Sequence, residues 1–342
     1  MVISYLLRTR VRFLLDSSFN SHRRCVHNEA SKEREKQIRN YVLSRYMQYV
    51  QQYADVLEKR FPTAIRVYRV FTIGVKDFYG DLKVFLALFH KVNLTSKGLE
   101  ALTRRELEIY HKMPKDMVRI APVLLLSALP FANYVIFPLA YYFPRHLLTS
   151  HFWSLQQRHE FALIDHRNRL HHFKGVFRAL QWQMENLKDH KLYCHWESVI
   201  GCLGSGLHPN TEEVLECKTL FAEAPYHLNC IYSSHVKELL RSHGMHTGWR
   251  RRRRLAERAK LVQLMDQAIC REGGVSSLSQ DEIRAACLFR GLNPANMKRA
   301  DMEAWLQDWL YVSQNLTKDC RSLVLHCPIL LAYNHPSNWV LR

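Results

Sequence analysis

The chain has 342 residues, 47% of them hydrophobic and 23% charged, which is long enough for a membrane segment plus one sizeable folded domain. Lys and Arg number 49 against 31 acidic residues, a formal net charge of +18; this balance suits an acidic partner such as anionic lipid or RNA, or is the ordinary charge of an organelle protein. The nine cysteines are odd in number and lack a CxxC pair, so they do not read as a disulfide framework, and although Cys194, His195 and Cys202 lie close together, no HExxH or paired zinc spacing occurs. No metal or cofactor is expected.

Residues 1–28 carry Arg8, Arg10, Arg12, Arg23 and Arg24 against the single acid Asp16, with Ile3, Leu7, Val11 and Leu14 on one helical face. This arginine-rich, acid-poor amphipathic pattern is that of a mitochondrial presequence, with removal near Arg24 and Cys25. Residues 29–117 read as a helical amino-terminal region: one helix from Lys32 to Phe61, and a second after Pro62 from Ile65 towards Val92 with an aromatic-rich face of Phe71, Phe78, Phe85 and Phe89. That face suits a neighbouring helix or a membrane surface. Thr103 and Glu106 spell a capping box that opens a short helix, expected to end before Pro114.

Ile120 to Pro144 runs 25 residues without a charged side chain and is interrupted only by Ser127 and Asn133. A hydrocarbon core of about 30 Å needs roughly 20 apolar helical residues, so residues 118–144 are expected to be a single-pass transmembrane helix. Pro122, Pro130, Pro138 and Pro144 predict kinks or a break, and the alternative is a buried hairpin turning at Pro130. Tyr141, Tyr142 and Phe143 suit an interfacial belt.

Residues 145–342 are expected to form an all-helical domain, since no alternating strand pattern occurs. Ser154–His172 and Val176–His190 read as polar helices with thin apolar stripes (Leu155, Phe161, Leu163 and Ile164 in the first). Gly201, Gly204, Gly206 and Pro209 read as a break, and Asn210 with Glu213 as a cap. Arg250, Arg251, Arg252, Arg253 and Arg254 follow Trp249 and open a helix whose inner face is Leu255, Ala259, Val262, Met265 and Ile269. Five consecutive arginines cannot share one face, so some are solvated or bound to phosphate of nucleic acid or lipid headgroups; a nuclear-localisation signal is a further reading. Ser279 with Glu282 forms a second capping box, Gly291 closes that helix, and Met302, Trp305, Leu306, Trp309 and Leu310 line the next, with the two tryptophans in the core.

The run Leu102, Thr103, Arg104, Arg105, Glu106, then Asp116, Arg119, Pro122, Pro130, Phe131, Phe143 and Pro144, resembles the LETM family of mitochondrial inner-membrane proteins. The arginine-rich helix, Ala285-Ala286-Cys287 with Arg290-Gly291, and Trp309-Leu310 are similar to that family's ribosome-binding-like domain, so the resemblance covers Leu102 to Leu331. It implies a membrane-anchored binding protein that supports mitochondrial structure and respiratory-chain biogenesis through the mitochondrial ribosome or an assembly factor. Inner-membrane lipids and a second copy of the chain in a homo-oligomer are the further partners considered.

The transmembrane motif Pro122, Pro130, Phe131, Asn133 and Pro138 departs from the longer members linked to cation/proton exchange, which carry an acid at the position matching Asn133. An amide cannot cycle a proton, so intrinsic exchange is not expected, and a role as component or regulator of an exchanger is the alternative function. No DxDxDG calcium loop or nucleophile motif occurs, so neither calcium sensing nor enzymatic activity is expected. Arg104, Arg105, Lys112 and Lys115 before the apolar stretch outnumber Arg145 and Arg158 after it, which by positive-inside counting puts the amino-terminal side in the matrix. The resemblance implies the opposite orientation, with the carboxyl-terminal domain in the matrix, and that is the expectation adopted.

Overall fold

The computed structural model describes residues 62–95, 98–127 and 139–341, and among them all regular structure is helical. The presequence and the helix expected over 32–61 lie outside the described residues. In chain order the longer helices are α1 (Pro62–Leu94), α2 (Arg104–Ser127), α3 (Leu155–Leu170), α4 (Phe173–Gln183), α5 (Tyr193–Gly204), α6 (Thr211–Glu216), α7 (Ser233–Ser242), α8 (Arg251–Arg271), α9 (Gln280–Arg290), α10 (Arg299–Gln314) and α11 (Arg321–Ala332), joined by short turns. They fall into two compact units, Met1–Gly80 with Pro122–Ser154 and Asp81–Ala121 with Leu155–Arg342.

In the first unit, the Phe71 ring packs on Phe152 at 5.2 Å between centroids, and Phe78 meets His151 edge-on. Gly74 permits this approach: a Cβ there would lie 2.6 Å from the Phe152 ring and 2.8 Å from the His151 carbonyl oxygen. Outside this contact the unit exposes apolar side chains, including Leu125 (72% exposed), Leu126, Leu139, Tyr142 (74%) and Phe143.

The uncharged stretch Ile120–Pro144 is only partly visible. Ile120–Ser127 forms the last two turns of α2, residues 128–138 lie outside the described residues, and 139–142 are again helical. Among the described residues no helix is long and apolar enough to cross a membrane. The single-pass helix is therefore not present in the described structure. Of the expected span, α2 supplies only residues 118–127, the rest of that helix being charged, and residues 128–138 lie outside the described residues. Nor does α2 stop before Pro114. Met113, Asp116 and Ile120 are buried along one face while Pro114 faces outward, and the apolar burial of Met113 and Ile120 offsets the ~3 kcal/mol that an interior proline costs.

The second unit is built around α8, which is buried on two sides. Leu255, Ala259, Val262 and Ile269 join the main core, whereas Leu261, Leu264, Met265 and Ala268 pack with Leu88, Leu102 and Leu107 in a second cluster. The expected inner face is therefore half of the truth. Helix α11 crosses the main core and is buried at every position from Ser322 to Ala332, including Pro328. A helix buried all round has no polar face and hence no amphipathic signature. Gly291 closes α9 with φ +102°, and a Cβ there would sit 2.9 Å from Pro328 Cβ and 3.2 Å from the Phe173 ring.

Two local expectations were reversed by packing. Gly201 and Gly204 belong to α5 and the break falls at Gly206 (φ +92°), because Trp196, Val199, Ile200 and Leu203 form a buried stripe that outweighs a glycine cost of about 1 kcal/mol each. In α3 the stripe residues Leu155 (75% exposed) and Ile164 face outward, and the buried positions are His166 and Leu170. His166 is kept inside by a 3.0 Å hydrogen bond between Nε2 and Asn338 Oδ1, and Asn338 in turn donates to the carbonyls of Gly291 and Ala332.

Candidate functional site

The arginine run sits at the amino-terminal end of α8. Arg250 occupies the left-handed region (φ +55°) as the residue before the helix, which turns the chain so that the next four side chains fan out around the first turn. Their guanidinium groups have separate tasks. Arg251 Nε donates to the Thr247 carbonyl at 2.8 Å; Arg252 donates to the carbonyls of Leu228 at 3.1 Å and Ile231 at 2.8 Å; Arg254 donates to the His246 carbonyl at 2.7 Å. Arg253 pairs with Glu257 one turn on, both of them exposed. Arg250 is exposed and Trp249 before it is 92% exposed.

Three of the five arginines thus fasten the turns on either side of α7, at 228–231 and 246–247, to the helix start. Main-chain carbonyls are neutral acceptors, so these bonds satisfy donors without cancelling charge. Only Glu257 opposes the cluster within the helix start, and the positive end of the helix dipole adds to it. An exposed tryptophan beside a concentrated positive field can stack on a base or an apolar surface while the guanidinium groups reach phosphate or carboxylate.

A second arginine cluster, which sequence reasoning missed, is organised around Phe289. Arg258 lies over its ring at 3.8 Å and donates to its carbonyl, and Arg169 donates to the carbonyls of Ser242, Leu288 and Phe289. Burial, with Arg169 and Arg290 alongside, holds Arg258 well below the ordinary arginine value. Arg290 has a carboxylate partner: Asp266 accepts from its Nε at 3.0 Å and its Nη2, from Trp309 Nε1 at 3.1 Å and from Ser313. These arginines are scattered over three helices, so no local spacing announces them.

Of the transmembrane motif, Pro122 lies exposed in α2, and Pro130, Phe131, Asn133 and Pro138 lie outside the described residues. Cys194 and Cys202 are two turns apart on α5, and His195 faces Glu216 at 3.5 Å; no group of three metal-ligating side chains occurs among the described residues. His235 and His326 meet at 3.0 Å between Nε2 atoms in the core. His326 Nδ1 donates to the Ser322 carbonyl, so His235 supplies the shared proton and both rings are neutral. Burial lowers His326 to about 4, and burial with His326 alongside holds His235 well below the ordinary histidine value.

Residues 102–330 match the family described as "LETM1-like, RBD", a span of well over half the chain. The chain is 29% identical over 340 residues to "LETM1 domain-containing protein 1" of Xenopus tropicalis, covering 96% of this chain and 97% of that protein. It is 28% identical over 306 residues to the protein of that name from Homo sapiens, covering 88% and 84%. A similar match, 28% over 305 residues, is found with the Bos taurus protein.

Proposed function

The chain belongs to the LETM1-like, RBD family, and from that premise we propose that it is a mitochondrial inner-membrane binding protein whose domain after Arg145 holds the mitochondrial ribosome, or a respiratory-chain assembly factor, beside the membrane. The observation that carries this reading is the pairing of a 92% exposed Trp249 with the arginine-rich start of α8. A stacking side chain next to several phosphate-seeking groups is what backbone-led nucleic-acid binding needs. The membrane seat is supported by the exposed Leu125, Leu126, Leu139, Tyr142 and Phe143 flanking residues 128–138, since contiguous exposed apolar side chains favour lipid or a partner over water.

Arg250 and Arg253 are the contact arginines in this reading, because Arg251, Arg252 and Arg254 are tied to carbonyls of their own fold. Co-sedimentation of the full chain with mitochondrial ribosomes tests it, compared with binding to cardiolipin liposomes. Trp249→Ala and the double change Arg250→Ala, Arg253→Ala reduce ribosome association, and wild-type binding weakens steeply as salt rises. Absence of association at low salt sinks the ribosome; binding to liposomes alone reassigns the patch to the membrane surface. Protease protection in mitoplasts tests the matrix orientation, which digestion of the domain after Arg145 overturns.

A further inference from the structure

Between the start of α2 and the flanks of α8 and α9 lies a pocket of about 220 Å³ whose chemistry is divided. Its floor is apolar, formed by Leu261, Met265 and Ile269 of α8 with Ala286 and Phe289 of α9; its polar side carries His111, Lys112 and Lys115 of α2 together with Arg104, Glu108 and Arg290. The volume exceeds the ~150 Å³ of an apolar cavity that admits benzene and falls below the ~300–1,000 Å³ typical of drug-sized sites. It therefore suits a small ligand.

Charge decides the ligand's polarity. Arg104 is paired with Glu282 and Arg290 with Asp266, so those guanidinium groups are neutralised by their own fold. Lys115 Nζ donates to His111 Nε2 at 2.9 Å, which requires a neutral imidazole. Among the lining residues Lys112 and Lys115 then face one further carboxylate, that of Glu108, leaving an excess of one positive charge at the rim. Arg104 Nε is buried and has no acceptor. From these observations we infer that the pocket binds a monoanionic amphiphile of fragment size, a carboxylate on a short aliphatic body, with the carboxylate at Lys115 and Lys112 and the chain on the Leu261, Met265 and Phe289 floor.

The arrangement explains two otherwise costly features. Burial, reinforced by Lys115 and Arg258, lowers His111 to about 3, and burial with Arg258 and Arg254 lowers Lys115, with only Asp116 acting the other way. A bound anion offsets that repulsion. The solvent-facing Ala285 stands at the mouth on α9, where a larger side chain would cover the opening without entering the core.

Isothermal titration of the full chain in phosphatidylcholine nanodiscs, with empty nanodiscs subtracted, tests the site using octanoate, octanol and acetate. Octanoate binds saturably at one site per chain and more tightly than either octanol, which lacks the charge, or acetate, which lacks the chain. Lys115→Gln weakens octanoate by about tenfold, the size of one lost charge-assisted hydrogen bond, and Lys115→Arg retains it. Ala285→Phe abolishes binding with an unchanged circular dichroism spectrum. Equal affinity for octanol, no saturable octanoate binding, or full binding by correctly folded Ala285→Phe overturns the inference. None of these readouts depends on the ribosome, so failure here leaves the proposed function standing and the reverse also holds.

Discussion

The Glu282 carboxylate serves two helices at once: Oε2 accepts from the Ser279 backbone N–H at 2.9 Å and so caps α9, while Oε1 pairs with the Arg104 guanidinium at the start of α2, 178 residues away in the chain. Glu272 repeats the connection by accepting from the Arg104 backbone N–H at 2.7 Å, and Arg271 donates to the carbonyls of Glu100 and Leu102. The helix that leads towards the uncharged stretch is therefore fastened at its base to α8 and α9. Arg104→Leu is expected to destabilise the protein by about 1–3 kcal/mol, as loss of a part-buried charge-assisted bond does. Denaturant unfolding of the full chain measures this, and a double-mutant cycle with Glu282→Gln should show coupling; strict additivity would refute the link.

Asp266 lies deeper, and its four donors come from α9 and α10. Asp266→Ala leaves the Arg290 charge buried and unpaired, for which about 3–5 kcal/mol is the expected loss. Urea midpoints at constant m-value would reveal it. A change below 1 kcal/mol would mean that Arg290 reaches water in the native state.

Acid should unfold this domain earlier than carboxylates alone would. His166 and His326 are lowered to about 4, by burial first and, for His166, by Arg169 second. A histidine with a depressed native pKa adds stability that is complete above about 6.5, where both states are neutral, and is lost as pH falls towards 4, because only the unfolded chain takes up protons in that window. The Glu282 carboxyl is also lowered, chiefly by its Ser279 hydrogen bonds, and its contribution disappears below the ordinary carboxylate range. Urea melts between pH 7 and 4 should show a steady decline, shallower in His326→Gln; a flat profile over this range would contradict the neutral histidine core.

Glycine substitutions separate backbone strain from crowding. Gly206 and Gly291 both have positive φ, but a Cβ meets nothing within 4 Å at Gly206, whereas at Gly291 it lies 2.9 Å from Pro328. Gly206→Ala should cost about 1–2 kcal/mol from the left-handed backbone alone. Gly291→Ala should add a further ~1–3 kcal/mol of overpacking. Thermal unfolding of the two variants side by side checks the difference, and equal costs would show that α11 gives way at Pro328.

Much of the architecture was legible because it is local. Ser279 with Glu282 and Thr103 with Glu106 are capping boxes by spacing, and both form. Leu255, Ala259, Val262, Met265 and Ile269 recur at helical intervals, and all are buried in α8. Helical class, the start of α8, both ends of α9, and the family resemblance over Leu102 to Leu331 follow from residues near one another in the chain, where periodicity and capping chemistry act. Tertiary structure decided what depends on partners distant in sequence. Helix α11 is buried on every side and so shows no periodic contrast; α2 passes Pro114 because a buried seam outweighs one missing donor; Leu155 is exposed and His166 buried because Asn338 supplies the acceptor. The same holds for the arginines. Their concentration at 250–254 is a property of the sequence, but which of them hold the turns flanking α7 and which face solvent depends on carbonyls up to 24 residues away, brought within hydrogen-bonding distance only by folding.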